Sequence, residues 1–351
     1  MNLPENIRRI VSIFLLTMLL LAACSAQKTS PEPTMGDSTN SESQQSAISF
    51  DSVNNIEPLY TLDGHNQGVA GFVFMPDGSH LTSLSNEMVL SVWDIKNGDL
   101  IQTLTESGPR IYNVAFSKDG TVLAVGNSDN TISLWDTGTG KLKSTLPGNS
   151  DFIMKMAFSP DGKLLVSGDG GGNIKLWDLT TETELYSMKA SSGSVGSLAF
   201  SPDSALLASG NSVGNEDIKL WDVKSGKELY TLSGHTGNVY NLVFTPDGSQ
   251  LISSSGDLTI KLWDVVSGEQ LHTFRGHNNY IYGLAISPDG MLLASASADG
   301  IIKLWNIETR SSIRTLNSNS EYIFHLAFSP DGSLLVGGGI EESITVWGIP
   351  E

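Results

Sequence analysis

Two ladders of residues with a common period constrain this chain more than any other feature of its sequence. The tryptophans follow one another at spacings of 42, 42, 44, 42, 42 and 42 residues, and one set of aspartates keeps the same spacings. The ladders are Trp93, Trp135, Trp177, Trp221, Trp263, Trp305 and Trp347, with Asp77, Asp119, Asp161, Asp203, Asp247, Asp289 and Asp331. A fixed period in this range is typical of stacked or circular repeat architectures.

Each repeat carries the pattern of four short strands. In the fifth repeat, the apolar stretch 239–244 is followed by a Pro-Asp-Gly turn at 246–248 and a second stretch at 250–253. Proline presets the first turn position, aspartate accepts local hydrogen bonds and glycine adopts positive φ. Further strands are expected at 259–263 and 270–274. Four antiparallel strands per repeat predict an all-β protein, a seven-bladed β-propeller.

The ends of the repeat region predict how such a ring closes. After Trp347 the sequence shows no fourth strand, whereas residues 58–65 match residues 228–235, which contain the outer strand of the fourth repeat. We therefore expect the N-terminal strand at 59–62 to complete the last blade. Closure would pair strand edges that an open ring leaves exposed.

Two dipeptides recur in the same register. Trp-Asp begins at Trp93, Trp135, Trp177, Trp221 and Trp263, and Gly-His begins at Gly64, Gly234 and Gly276. Together they resemble the WD-repeat family from about residue 57 to residue 351. The resemblance implies a propeller that binds protein or peptide partners, commonly at the top face around its central channel.

Serine, histidine and aspartate recur together, as in a hydrolytic triad. The fifth and sixth repeats contain His235, Ser253, Asp257 and Trp263, and His277, Ser295, Asp299 and Trp305. The first repeat has His65, Ser83, Glu87 and Trp93. An active site is rarely built several times in one ring, and the family resemblance implies structural hydrogen-bond tetrads. We therefore expect no catalytic residues here, and expect the repeats that lack the histidine to be held more by packing.

Composition and charge argue against several other functions. The formal net charge is -18, with 20 Lys and Arg against 38 Asp and Glu, and no basic cluster of the kind that binds nucleic acid is found. Cys24 is the one cysteine, so no disulfide can form within the chain and no multi-cysteine metal site is possible. We expect neither a metal nor a cofactor.

The N-terminal residues have the order of an export signal. Arg8 and Arg9 precede an apolar run at 11–21, which is short for a membrane span. The sequence Leu-Ala-Ala-Cys at 21–24 resembles the lipobox of bacterial lipoproteins, which implies a diacylglycerol on Cys24 and anchoring to the outer side of the cell membrane or to the outer membrane. The alternative is an ordinary secretory signal with cysteine at its cleavage site.

Three regions follow from this pattern: a signal peptide at 1–23, a lipidated cysteine with a disordered tether at 24–55, and the propeller at 56–351. The tether is rich in Ser, Thr, Gln and Pro and holds too little apolar surface to fold.

Residues that flank the first apolar position of each innermost strand form the candidate partner site. One arc comprises Arg110, Tyr112, Phe152 and Met154, and a second comprises Tyr240, Tyr280, Tyr282, Tyr322 and Phe324. Aromatic residues and arginine dominate the energetics of protein interfaces. The alternative is that these side chains only pack between blades.

The sequence thus favours a membrane-anchored, monomeric, non-enzymatic scaffold for protein or peptide partners. Two alternatives stay open: an envelope enzyme, hydrolase-like, on a propeller frame, and a receptor for a glycan or small ligand.

Overall fold

A computed structural model describes residues 46–87, 89–105, 113–212, 217–318 and 322–350. Seven four-stranded antiparallel sheets are arranged as the blades of a propeller. The predicted all-β, seven-bladed fold is therefore confirmed. Each of the first six blades uses four consecutive strands, from the channel outward.

The strand bounds follow the repeat. Blades one and two contain β2 (Val69–Phe74), β3 (His80–Ser85), β4 (Val89–Asp94) and β5 (Asp99–Thr105), then β6 (Asn113–Phe116), β7 (Val122–Gly126), β8 (Ile132–Asp136) and β9 (Lys141–Leu146). Blades three and four contain β10 (Ile153–Phe158), β11 (Leu164–Asp169), β12 (Asn173–Asp178) and β13 (Thr183–Lys189), then β14 (Val195–Phe200), β15 (Leu206–Asn211), β16 (Ile218–Asp222) and β17 (Lys227–Leu232). Blades five and six contain β18 (Val239–Phe244), β19 (Gln250–Ser255), β20 (Thr259–Asp264) and β21 (Gln270–Arg275), then β22 (Ile281–Ile286), β23 (Leu292–Ser297), β24 (Ile301–Asn306) and β25 (Ser311–Asn317). Blade seven contains β26 (Ile323–Phe328), β27 (Leu334–Gly339) and β28 (Ser343–Gly348), and its outer strand is β1 (Glu57–Asp63).

The ring closes through its N-terminal strand, as predicted. β1 pairs antiparallel with β28, with Thr61 opposite Thr345 and Leu62 opposite Ile344. The innermost strands touch their neighbours all the way round, including β26 against β2. This pairing joins the first and last strands of the ring into one sheet and leaves no gap between blades one and seven.

The hydrophobic core lies between blades rather than within any one of them. Between blades five and six, Leu262 and Phe274 pack against Leu293 and Trp305 of the next blade. The rings of Phe274 and Trp305 meet edge to face at 5.5 Å. Fully burying a side chain of this size stabilises the fold by about 1.5–3 kcal/mol. The regular spacing of the tryptophans therefore follows from their repeated position at the interfaces between blades.

The aspartate ladder marks the hairpin after each innermost strand. In blade seven, Ser329 Oγ donates to Asp331 Oδ1 over 2.6 Å, and the Ser333 backbone N–H donates to the same oxygen over 3.0 Å. Glycine occupies the left-handed position of these turns in six blades, and Ser204, with φ of 62°, occupies it in blade four. We call the side of the ring where these hairpins lie the bottom face and the opposite side the top face.

The folded part begins upstream of the predicted boundary at Ile56. Ile48 and Val53 are buried among residues of blades six and seven, and residues Val53–Asn55 form a short 3-10 helix. Arg314 donates hydrogen bonds to the carbonyls of Asn54 and Ile56. The prediction of a disordered tether through residue 55 is wrong for this segment, because its apolar side chains have a pocket to fill.

Candidate functional site

A β-bulge lies near the start of the innermost strand in six blades. In blade three, the pairing of β10 with β11 skips from Ile153 to Lys155 and leaves Met154 out of register. The residues skipped in this way are Ala70, Met154, Gly196, Tyr240, Tyr282 and Phe324. A bulge redirects a side chain and ends regular pairing. In these blades the bulged residues all lie at the mouth of the central channel.

The second predicted arc forms one chain of aromatic rings, which we call the aromatic arc. Its members are Tyr280, Tyr240, Tyr282, Phe324 and Tyr322. The ring centroids of Tyr240 and Tyr282 are 4.7 Å apart, and those of Tyr282 and Phe324 are 5.0 Å apart. Such offset or edge contacts contribute about 0.5–1.5 kcal/mol per pair beyond area burial. Burial and the neighbouring tyrosines raise the pKa of Tyr282. The arc therefore packs partly within itself, while Tyr280 remains 46% exposed.

The first predicted arc is only partly described. Met154 lines the channel mouth with Tyr240, Tyr282 and Phe324, so it belongs to the same surface as the aromatic arc. Phe152 is 43% exposed, and its ring lies against the backbone of Gly170. Arg110 and Tyr112 lie outside the described residues.

The channel mouth also contains polar residues that the sequence analysis did not select. The cavity is about 800 Å³, and Asn113, Lys155 and His325 are among its lining residues. These three share one position of the innermost strand, at which the seven repeats have Gly71, Asn113, Lys155, Ser197, Asn241, Gly283 and His325. Comparing that position around the ring would have found them, because the apolar pattern of the strand breaks there in most repeats.

Two ionisable groups of the channel lining have shifted pKa values. Burial lowers the pKa of Lys155. Burial and the nearby charge of Lys155 lower the pKa of His325 to about 3, so its imidazole is neutral at pH 7. Lys155 is the one lysine or arginine among the described residues of the channel lining.

The predicted tetrad of blade five is assembled as one hydrogen-bond network. Ser253 Oγ lies 2.8 Å from Trp263 Nε1, which donates to it, and 2.7 Å from His235 Nε2. His235 Nδ1 lies 2.8 Å from Asp257 Oδ2. Burial opposes ionisation of Asp257, but hydrogen bonds from His235 and Thr259 outweigh it and hold the pKa of the carboxyl well below its usual value. Ser253 is fully buried, so no substrate can reach its hydroxyl.

The same network is looser in blade six and incomplete in blade one. His277 Nε2 lies 2.8 Å from Ser295 Oγ, which also accepts from Trp305, while His277 Nδ1 is 3.4 Å from Asp299 Oδ2. Burial lowers the pKa of His277 against the opposing effect of Asp299. In blade one, the carboxylate position is Glu87, which is exposed.

Blade three contains a variant that the sequence analysis missed. Asn149 occupies the position of the tetrad histidine, and its Oδ1 accepts a hydrogen bond of 2.6 Å from Ser167 Oγ. Ser167 Oγ in turn accepts from Trp177 Nε1 over 2.9 Å. Blade three is therefore held by a polar network as well as by packing. The Gly-Asn at 148–149, in register with Gly-His, was the available signal.

Within the described residues, no group of three or more His, Cys, Asp or Glu side chains could hold a metal ion. Nor does that part of the chain contain a helix long and apolar enough to cross a membrane.

Seven four-stranded blades, in a ring that the N-terminal strand closes, define a circular repeat protein with variable residues at the mouth of its channel. Comparison with protein families identifies the repeat: the family described as WD40, WD domain, G-beta repeat, matches residues 56–94, 98–136, 140–178, 182–222, 226–264, 268–306 and 310–348. The chain belongs to this family, whose propellers are typical protein-binding scaffolds. No curated protein gives a significant match.

Proposed function

We propose that this protein is a non-enzymatic scaffold that binds a protein or peptide partner at its top face, through the aromatic arc. The observation that carries the proposal is the arc itself, five aromatic rings in contact across three blades with Tyr280 well exposed at its end. Clustered tyrosine and phenylalanine residues are typical of interface hot spots. Burial of Ser253 and Ser295 argues against a hydrolase built on the tetrads.

We further propose that the protein is exported and anchored by lipid on Cys24, and acts as a monomeric propeller. The lipobox-like sequence before Cys24 supports the anchor. The entry point of the chain agrees with it: the Ile48 backbone N–H donates to the Gly332 carbonyl, on the bottom hairpin of blade seven. A tether that enters at the bottom face leaves the aromatic arc directed away from the bilayer.

Crosslinking in native cells tests the partner site. The triple variant Tyr280→Ala, Tyr282→Ala and Phe324→Ala is expected to lose at least about 90% of the partner captured by the wild-type protein, because hot-spot residues dominate binding. Tyr230→Ala is the control, since Tyr230 is 40% exposed but lies on the outer strand β17. If the triple variant melts at a lower temperature yet captures the same partners, the aromatic arc serves packing alone.

A further inference from the structure

Lys155 differs from the paired lysines on the surface of the ring. Lys175 and Lys219 form salt bridges of 2.8 and 2.6 Å with Glu184 and Glu228. Lys155 Nζ has no hydrogen bond or ion pair with any described residue, although it lies within the channel. Its side chain is half-buried and lines the cavity, so the ammonium group can be reached from the channel. The whole chain has a net charge of -18, yet no described acidic residue pairs with Lys155.

Neighbouring groups add hydrogen-bond donors beside this charge. Asn113, on the adjacent strand β6, accepts the Met156 backbone N–H through its Oδ1 over 3.1 Å. That bond leaves the amide NH₂ of Asn113 available as a donor. His325 faces the same cavity, and a neutral imidazole also carries one N–H donor. None of the described lining residues is an aspartate or glutamate.

The same cavity also has apolar residues in its lining. Met154, Tyr282 and Phe324 line it beside Lys155 and Asn113. Its volume of about 800 Å³ falls within the range of sites that hold small organic ligands. The cavity thus combines one lysine and amide donors with aromatic rings in a single lining.

We propose that the top of the central channel binds a carboxylate carried on an apolar or aromatic body, with Lys155 and Asn113 holding the carboxylate and Met154, Tyr282 and Phe324 contacting the body. A single negative charge suits the single lysine of the described lining better than a phosphate does. The carboxylate belongs either to a free organic acid or to a polypeptide. This proposal does not depend on whether a protein partner docks on the aromatic arc.

Calorimetric titration of the purified full-length chain tests the site. The probes are N-acetyl-L-phenylalanine and its neutral amide, which differ only in the carboxylate. We expect saturable binding of the acid and at least about tenfold weaker binding of the amide, because charge-assisted hydrogen bonds carry the recognition. Equal binding of the two probes, or no binding of the acid, would overturn the proposal.

Substitutions locate the binding on the channel. Lys155→Met is expected to weaken binding of the acid at least about tenfold, because it removes the charged donor that would hold the carboxylate. Asn113→Ala is expected to weaken binding of the acid severalfold. Lys163→Met is the matched control, because this lysine is 73% exposed on the bottom hairpin of blade three. Unchanged binding in Lys155→Met, with the protein folded, contradicts the site.

Two peptides distinguish the sources of the carboxylate. One is N-acetyl-Ala-Phe with a free C-terminus, and the other is N-acetyl-Ala-Glu-Phe-amide, whose carboxylate is on a side chain. Tighter binding of the second supports a polypeptide that inserts an acidic side chain, and tighter binding of the first supports a terminal or free acid. Loss of partner capture in the single variant Tyr280→Ala, with its acid binding unaltered, would separate this site from the proposed docking surface, because Tyr280 is not among the residues that line the cavity.

Discussion

At the scale of single residues, the molecule shows what spacing in a sequence can and cannot reveal. The tetrad residues of blades five and six were found because the pattern repeats, and the structure brings His235 within hydrogen-bond distance of both Ser253 and Asp257. Lys155 and His325 were missed because each is unique in its ring position, so no repeat draws attention to it. Their proximity depends on ring closure, which places blades three and seven across one channel.

His325 predicts an acid sensitivity. Its pKa of about 3 in the folded protein lies below the ordinary value of 6.5, so the unfolded chain binds the extra proton between these pH values. Stability from this residue is fully present above pH 6.5 and falls with decreasing pH, by up to about 1.4 kcal/mol per pH unit. Urea unfolding of His325→Gln at pH 7, 5.5 and 4 is expected to show a shallower decline than the wild-type protein.

The control for this series is His80→Gln, which removes an imidazole from an exposed hairpin. Burial also lowers the pKa of Lys155, and the nearby charge of Lys155 contributes to the low pKa of His325. Identical slopes for His325→Gln and the wild-type protein would show that the channel does not desolvate the ring.

At the scale of the blade, polar networks and packing contribute unequally from repeat to repeat. Trp263 and Trp305 donate to serines that also bond histidines, and Trp177 donates to a serine bonded to Asn149. Trp347 Nε1, where Gly337 occupies the serine position, has no hydrogen-bond partner in the described structure. The sequence predicted which blades contain histidine, but not that asparagine takes its place in blade three.

Blade one offers a direct test of the carboxylate in this network. His65 Nδ1 is buried and has no hydrogen-bond partner among the described residues, because Glu87 at the carboxylate position is exposed. Glu87→Asp is expected to place a carboxylate on His65 as Asp257 lies on His235, and to raise the free energy of unfolding by about 1–2 kcal/mol.

The matched variant is Asp257→Glu in blade five. Because it makes the reverse change, it should lower the free energy of unfolding by a similar amount. Chemical denaturation measures the free energy of unfolding of both variants. If Asp257→Glu is clearly destabilised but Glu87→Asp gains no stability, blade one holds its histidine in another way.

At the scale of the whole molecule, the period of the sequence was enough to predict the blade number, the strand order and the closing strand. The domain start was not, because residues 46–55 are polar overall and only Ile48 and Val53 enter the core. The aromatic arc was predicted as a set of positions. Its ring-to-ring contacts depend on the bulges, whose geometry the residue types alone do not specify.

The anchor is a property of the whole chain and has its own test. Cells that express the wild-type protein and are fed labelled palmitate are expected to carry label on the membrane-bound form. Cys24→Ser is expected to abolish the label and move most of the protein to the soluble fraction, because one lipidated residue would supply the attachment. Ser25→Ala is the control. Label or membrane attachment that survives in Cys24→Ser contradicts the proposed anchor.

The pairing of β1 with β28 also imposes an order in time. β1 is the first strand of the ring to be synthesised and β28 is the last, so β1 waits for its neighbour until all other strands exist. Strands joined over such long separations fold slowly, and an unpaired edge readily recruits other chains. A nascent chain interrupted before Ser343 would hold almost every blade and still be prone to aggregation, because β1 would have no strand to pair with.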